Sequence, residues 1–230
     1  MKTFKYVSGL PEKIKLEKTE VNGKRTYILP SGRLVPSVTT VLGHFEKKRI
    51  NEWRQKVGNE EANRISAKAS GRGTRFHNLV EKYFENRPYD QVITESTMPD
   101  LKEMFQIALP TFDRIDNIHY VECALYSETL GVAGRCDLVA EFDGKLSIID
   151  HKTSTKEKKE DWIIRYLEQK TCYAMMYEEL FGTPIHQIVT IIIADDLKVP
   201  QIFIRDPEHY KEGLLSKIEA YHKYERELAA

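Results

Sequence analysis

The segment Gly134-Arg135-Cys136-Asp137-Leu138-Val139-Ala140-Glu141-Phe142-Asp143-Gly144-Lys145-Leu146-Ser147-Ile148-Ile149-Asp150-His151-Lys152 constrains this chain more than any other. Asp143-Gly144 separates two alternating apolar runs, the pattern of a two-residue hairpin whose primed turn needs positive φ at both central residues. In that register Phe142 faces Lys145, and counting outward sets Asp137 opposite Asp150. A four-residue loop gives the same pairing, and a three-residue loop breaks it. Directly opposed Cβ atoms lie about 5 Å apart, where like charges destabilise a sheet. Two carboxylates so placed must share a proton, accept a cation or bind a divalent metal. Side chains alternate between faces. Lys152 therefore joins Asp137 and Asp150, whereas His151 points to the other face and offers the cluster only its backbone carbonyl. The face suits a hard cation with a basic or electrostatic partner beside it. The plain alternative is a solvent-facing acid pair with Lys152 as its salt-bridge partner. Val139 and Ile148 on the same face imply partial burial, which makes unpartnered carboxylates costly and argues against that alternative.

A chain of 230 residues can bury a full core, and a single domain is the simplest expectation. It divides into an N-terminal β element (1–45), a helical part (46–115) and a sheet with flanking helices (116–230). The 35 basic side chains balance 35 acidic ones, so overall charge does not announce a nucleic-acid partner and local charge must carry any such claim. No apolar run reaches the roughly 18 residues of a membrane span. Residues 1–16 mix acids with bases and lack an apolar stretch, the pattern of neither a signal peptide nor a mitochondrial presequence, so a cytoplasmic setting is expected. Cys123, Cys136 and Cys172 are odd in number and widely spaced, which excludes a complete disulfide framework. An iron–sulfur cluster needs four thiolates and is rejected.

Tyr27-Ile28-Leu29 and Val38-Thr39-Thr40-Val41-Leu42 bracket a turn at Pro30-Ser31-Gly32 and predict two strands. A basic helix is expected from Glu46 to Lys68, then a flexible break at Ser70-Gly71-Arg72-Gly73-Thr74. Helices through Phe76–Phe84 and Asp100–Arg114 follow. Strands are predicted at Tyr120–Tyr126, Gly134–Phe142 and Lys145–His151, a helix at Lys159–Phe181, strands at Ile188–Ala194 and Gln201–Arg205, and a helix at Glu208–Leu228. This order describes an α/β sandwich around one mixed sheet. Around the hairpin, Glu122 sits one strand earlier on the face of Tyr120 and Ala124, either a third carboxylate or an ordinary strand Glu. His77 and Glu81 share a helix face, as do Gln169 and Tyr173. The second pair could hold a phosphate, or simply pack a helix edge together with Tyr166 and Tyr177.

Taken in order, His77, Gly134-x-x-Asp137, Asp150-x-Lys152 and Gln169-x-x-x-Tyr173 resemble the RecB-type branch of the PD-(D/E)XK nuclease superfamily. Pro36-Ser37-Val38-Thr39-Thr40-Val41-Leu42, Gly73-Thr74-Arg75-Phe76-His77 and the Asp137–Leu146 run are similar to the mitochondrial genome maintenance exonucleases and their phage-encoded relatives. The resemblance spans about residues 35–225. It implies a restriction-endonuclease-like core in which the hairpin carries the active site on a central mixed β-sheet flanked by helices. It further implies that Asp137 and Asp150 bind one or two Mg²⁺ or Mn²⁺ ions, with the His151 carbonyl and His77 completing the shell. Lys152 would orient or deprotonate water and offset phosphoryl charge. Gln169 and Tyr173 would hold the substrate backbone, and Ser37 and Thr39 fall in a motif near its path. Basic groups of the first helix and of the Gly71–Arg75 break, with Thr74 and Arg75, would guide the strand.

The implied activity is a metal-dependent DNA exonuclease acting on single strands or free ends in replication, recombination or genome processing. A phage-encoded protein working in its host's cytoplasm fits that role. The chain departs from parts of the family in lacking a presequence pattern and a four-cysteine cluster. Alternatives are a structure- or site-specific endonuclease of the same fold, since one fold hosts many activities, or a noncatalytic DNA-binding module. Intact Asp137, Asp150 and Lys152 argue against the module.

Overall fold

The computed structural model describes residues 2–229. Three short strands, β1 (Glu17–Val21), β2 (Lys24–Ile28) and β3 (Leu34–Pro36), form a small antiparallel sheet. The strand expected at Val38–Leu42 is instead the start of helix α1 (Val38–Val57). Ser37 explains the difference: its extended backbone caps the helix, and its hydroxyl accepts the Thr40 N–H at 3.0 Å. That local cap outweighs the β preference of Val38-Thr39-Thr40-Val41.

A second correction concerns the break between the early helices. It falls at Gly58, whose φ of 88° few side-chain-bearing residues adopt. Helix α2 (Asn59–Phe84) then runs without interruption through Ser70–Thr74, where the glycines suggest a flexible loop. A helical Gly costs about 1 kcal/mol relative to Ala. Burial of Phe76, Leu79, Val80, Tyr83 and Phe84 on the same helix more than offsets it.

After α3 (Tyr89–Val92) and α4 (Pro99–Phe112) come β4 (Ile115–Ser127), β5 (Val132–Phe142), β6 (Lys145–Ser154), α5 (Ile164–Phe181), β7 (Gln187–Ala194), β8 (Gln201–Arg205) and α6 (Glu208–Ala229). The second sheet has the order β4-β5-β6-β7-β8. All its pairs are antiparallel except β6 with β7, which α5 connects as a parallel pair requires. One face of this sheet packs on α1, α5 and α6 through Val139, Ile148, Ile188 and Leu167. The other packs on α2 and α4 through Leu138, Ala140, Ile149, Phe76 and Phe112. The three-layer arrangement is restriction-endonuclease-like, as the sequence leads one to expect. The small sheet joins it through a bridge between Ser37 and Ala133 and a minor core of Tyr27, Leu29 and Val35 against Ala133.

The hairpin forms with Phe142 opposite Lys145. Asp143 (φ 52°) and Gly144 (φ 73°) supply the two positive angles of the primed turn. The β5–β6 ladder continues to Leu138 opposite Ile149 and stops there. Beyond that point β6 stays paired with β7, Asp150 facing Thr190 and Lys152 facing Ile192, while β5 stays with β4. The sheet thus opens between its two central strands at Asp137 and Asp150.

Candidate active site

The opening is shaped by a second irregularity. Glu122 on β4 has φ 52°, uncommon for a residue with a side chain. Pairing resumes on either side of it, Val121 with Leu138 and Cys123 with Cys136. Strict alternation would send Val121 and Cys123 to one face, yet Val121 and Leu138 enter the α2–α4 core, and Cys123 and Cys136 enter the α5–α6 core. Glu122 and Asp137 sit where the facing switches, so neither is confined to one layer.

Asp137 uses that freedom. His77, from α2, places Nδ1 3.2 Å from Asp137 Oδ2, and His151 Nδ1 lies 4.0 Å from the same oxygen. The two imidazoles lie against each other with ring centroids 4.0 Å apart. His77, Asp137 and His151 therefore present three ligand atoms within 4.8 Å of one another. This corrects the expectation that His151 can contribute only its carbonyl. Its ring does lie on the α2–α4 side, edge-on to Phe76 and Phe112, but Asp137 reaches into that layer. Asp150 is engaged by two ammonium groups, Lys152 Nζ at 2.5 Å from Oδ1 and Lys170 Nζ at 3.9 Å from Oδ2.

The electrostatics follow from burial among few charges. Desolvation opposes ionisation of Asp137, yet Lys152 and His77 outweigh it and hold the carboxyl well below the usual carboxylate range. Desolvation also opposes the charge of Lys152, and Asp150 and Asp137 reverse that, leaving an ammonium more tightly protonated than usual. His77 is likewise disfavoured as a cation by burial and raised by Asp137. His151 is pushed well down by burial and by His77, so its ring is neutral and able to ligate. Burial brings Lys170 down to about 8 despite Asp150.

Buried polar atoms without partners test whether these groups suit a cation. Asp137 Oδ2, Asp150 Oδ2 and His151 Nε2 are all buried and receive or make no hydrogen bond, although His77 stands close to the first. Buried acceptors are ordinarily satisfied, and exceptions call for an ion or a water. Carboxylate oxygens without donors and a neutral imidazole have the chemistry that suits a divalent cation of mixed oxygen and nitrogen preference.

A cleft of about 440 Å³ opens onto this cluster, and Ser37, Thr39, Thr74, His77, Glu122, Asp137, Gln169 and Tyr173 all line it. Gln169 Nε2 donates to the Tyr173 hydroxyl at 3.0 Å. Tyr173 packs against Gly134, where a Cβ would stand 2.7 Å from its ring. The Gly134 of the sequence motif is thus a requirement of close approach. Glu122 faces the cleft with Arg135 Nε at 2.6 Å, and burial together with Asp137 raises its carboxyl to about 7. Arg75 does not join: it lines a separate crevice with Asn78, Lys82 and Met98.

Three basic side chains of the cleft escape the sequence reading, namely Lys18 on β1, Arg25 on β2 and Arg135 on β5. Burial and the neighbouring Arg135 and Arg25 together disfavour the Lys18 ammonium, the mark of like charges gathered at one place. Only the fold brings the small sheet over the hairpin, so spacing along the chain carries no signal for Lys18 and Arg25. Lys170 is masked for a different reason: it occupies a buried helix position where an apolar residue is the usual choice.

Two known proteins are similar to parts of this chain. Over 134 residues the chain is 28% identical to mitochondrial genome maintenance exonuclease 1 of Homo sapiens, a match covering 54% of this chain and 38% of that protein. A crystal structure of a candidate exonuclease from Eubacterium rectale superposes with a TM-score of 0.47 at 15% identity, covering 65% of this chain and 64% of that one. Residues 52–229, which hold His77, both hairpin aspartates, Lys152, Gln169 and Tyr173, match the PD-(D/E)XK nuclease superfamily, and the chain belongs to that family.

Proposed function

We propose that the protein is a divalent-metal-dependent DNA exonuclease that hydrolyses phosphodiester bonds from the free end of a single strand. The observation that carries this reading is the pair of buried carboxylate oxygens of Asp137 and Asp150 without hydrogen-bond donors, Asp137 lining a basic cleft and Asp150 standing in the opened sheet beside it. Asp137, Asp150, His77 and the His151 ring would hold Mg²⁺ or Mn²⁺. Such an ion, when bound, supplies Lewis-acid stabilisation of a phosphoryl oxygen and acidifies water. Lys152, kept charged by Asp150 and Asp137, donates to a phosphoryl oxygen and offsets charge that develops there. Lys170 holds Asp150 from the opposite oxygen and limits its movement. Gln169 and Tyr173, fixed to each other and to Gly134, border the scissile position. Lys18, Arg25 and Arg135 take flanking phosphates, a backbone contact indifferent to sequence. The cleft's aromatic residues, Tyr27 and Tyr173, are buried, so the cleft offers phosphate contacts rather than a face on which bases stack.

End-labelled single-stranded DNA, linear and circular, incubated with Mg²⁺, Mn²⁺ or EDTA, tests the reading. Metal-dependent loss of linear strands alone is the expected result, and the labelled end gives the polarity. Equal cutting of circles would make the protein an endonuclease, and binding without cleavage would make it a noncatalytic module.

A further inference from the structure

Beyond the cleft, the segment that follows β6 carries a second feature that hydrolysis alone does not use. Lys156, Lys158 and Lys159 precede Trp162, and Arg165 and Tyr166 follow it in the first turn of α5. Trp162 is 53% exposed, the larger part of an indole left in water. Its neighbour Ile163 is buried in the α5–α6 core, so the short turn Glu160–Trp162 is anchored with the indole directed outward. Lys158 and Lys159 place their ammonium groups 6.0 and 5.9 Å from its ring centroid, and Arg165 sits 5.6 Å from that of Tyr166. Tyr166 also carries Lys152 Nζ at 5.5 Å, which ties this surface to the site.

A basic run after a strand is usually a solvated loop, and two observations set this one apart. First, its backbone is fixed: Lys158 N–H donates to Gln201 Oε1 at 2.7 Å, and Gln201 Nε2 donates to the Lys158 carbonyl at 2.9 Å. Second, one of the three acids in this segment, Glu160, is engaged elsewhere. Glu160 is bound by Arg205 and by the Tyr210 hydroxyl, which leaves Glu157 and Asp161 against four cations. An outward aromatic face among cations carried on an anchored backbone is the chemistry that holds a nucleic-acid strand whose bases are unpaired. A duplex keeps its bases stacked inside and offers the indole a face only at its blunt ends.

We infer that Lys156, Lys158, Lys159, Trp162, Arg165 and Tyr166 form a track for single-stranded DNA leading away from Lys152, with one base stacked on Trp162 and phosphates on the lysines. The inference rests on the nuclease reading above and assigns it a strand preference through a surface outside the cleft.

The chain has two tryptophans, Trp53 and Trp162, so W53F and W162F each leave one reporter. Titration with a thymidine oligonucleotide in Ca²⁺ buffer, its integrity checked on a gel, should quench W53F and leave the emission of W162F unchanged. Trp162→Ala should weaken binding by about 5- to 150-fold. Lys158→Ala with Lys159→Ala should reduce the slope of log affinity against log salt by about 1.4. Undiminished affinity in Trp162→Ala, or an indole in W53F that does not respond to saturating strand, overturns the track. A parallel cleavage assay separates the two readings. Degradation of linear strands with an unresponsive Trp162 sinks the track and leaves the nuclease standing. Quenching without any cleavage keeps the track and removes the hydrolytic reading.

Discussion

At its turn, the β5–β6 hairpin is an unbroken ladder with apolar side chains on both faces; about 17 Å along the same strands, at roughly 3.4 Å per residue, it is neither. Phe142, Ala140 and Ile149 fill one core at the closed end, and Val139 and Ile148 fill the other. Arg114 clamps the turn by two bonds to Asp143 and lies 4.5 Å from the Phe142 ring centroid. At the open end the ladder has stopped, and the side chains are Asp137, Asp150 and Lys152, with His77 and His151 against them. The closed end satisfies its groups within the chain. The open end leaves carboxylate oxygens without donors. One pair of strands thus separates stabilisation from chemistry along its length, and substitutions at the two ends should separate in the same way.

The largest effect on stability is expected at the closed end. Phe142→Ala removes a fully buried ring and should cost about 3–5 kcal/mol in chemical denaturation. Cleavage per folded molecule should be unchanged; a loss of specific activity beyond the unfolded fraction would show that the ends are not independent. At the open end, Asp150→Ala or Lys152→Ala should lower the cleavage rate by about 10²–10³-fold or more in a single-turnover assay. The melting transition of Lys152→Ala should remain cooperative, because Lys170 still faces Asp150 and the remaining charge is not orphaned. Wild-type rates in either variant would remove the hairpin from the chemistry.

This division also explains what could be read from the chain before its fold. The closed end is written locally: Asp143-Gly144 dictates the turn, and alternation dictates the register. Counting outward sets Asp137 opposite Asp150, but the ladder ends one pair earlier, at Leu138 and Ile149. Failures occur where a contact depends on distant chain or on broken alternation. The His151 ring keeps the face that alternation along β6 predicts; what alternation does not show is the switch at Glu122 and Asp137 that turns the Asp137 carboxylate into that layer. The helical Val38–Leu42 turned on one capping hydroxyl, and the break displaced to Gly58 turned on a single backbone angle. Lys18 and Arg25 reach the cleft only because the small sheet folds over β5, a placement no local pattern encodes.

Smaller changes sharpen the comparison. Gly144→Ala imposes a side chain on a φ of 73° and should cost about 1–2 kcal/mol, read as a lower denaturation midpoint with an unaltered metal requirement.

His77→Ala is the reciprocal test, since His77 is the one imidazole of the cluster brought by α2 rather than by the hairpin. Its Nδ1 stands 3.2 Å from Asp137 Oδ2, so it can share a cation with that oxygen, while the paired strands remain complete without it. Removing it should therefore leave the denaturation midpoint close to that of the parent. The Mn²⁺ concentration needed for half-maximal cleavage should rise by about 10-fold or more, and calorimetric titration of the protein with Mn²⁺ should show the same weakening without substrate. An unchanged Mn²⁺ titration would mean that the hairpin residues alone hold the ion, and His77 would then serve only to pack His151 and steady Asp137.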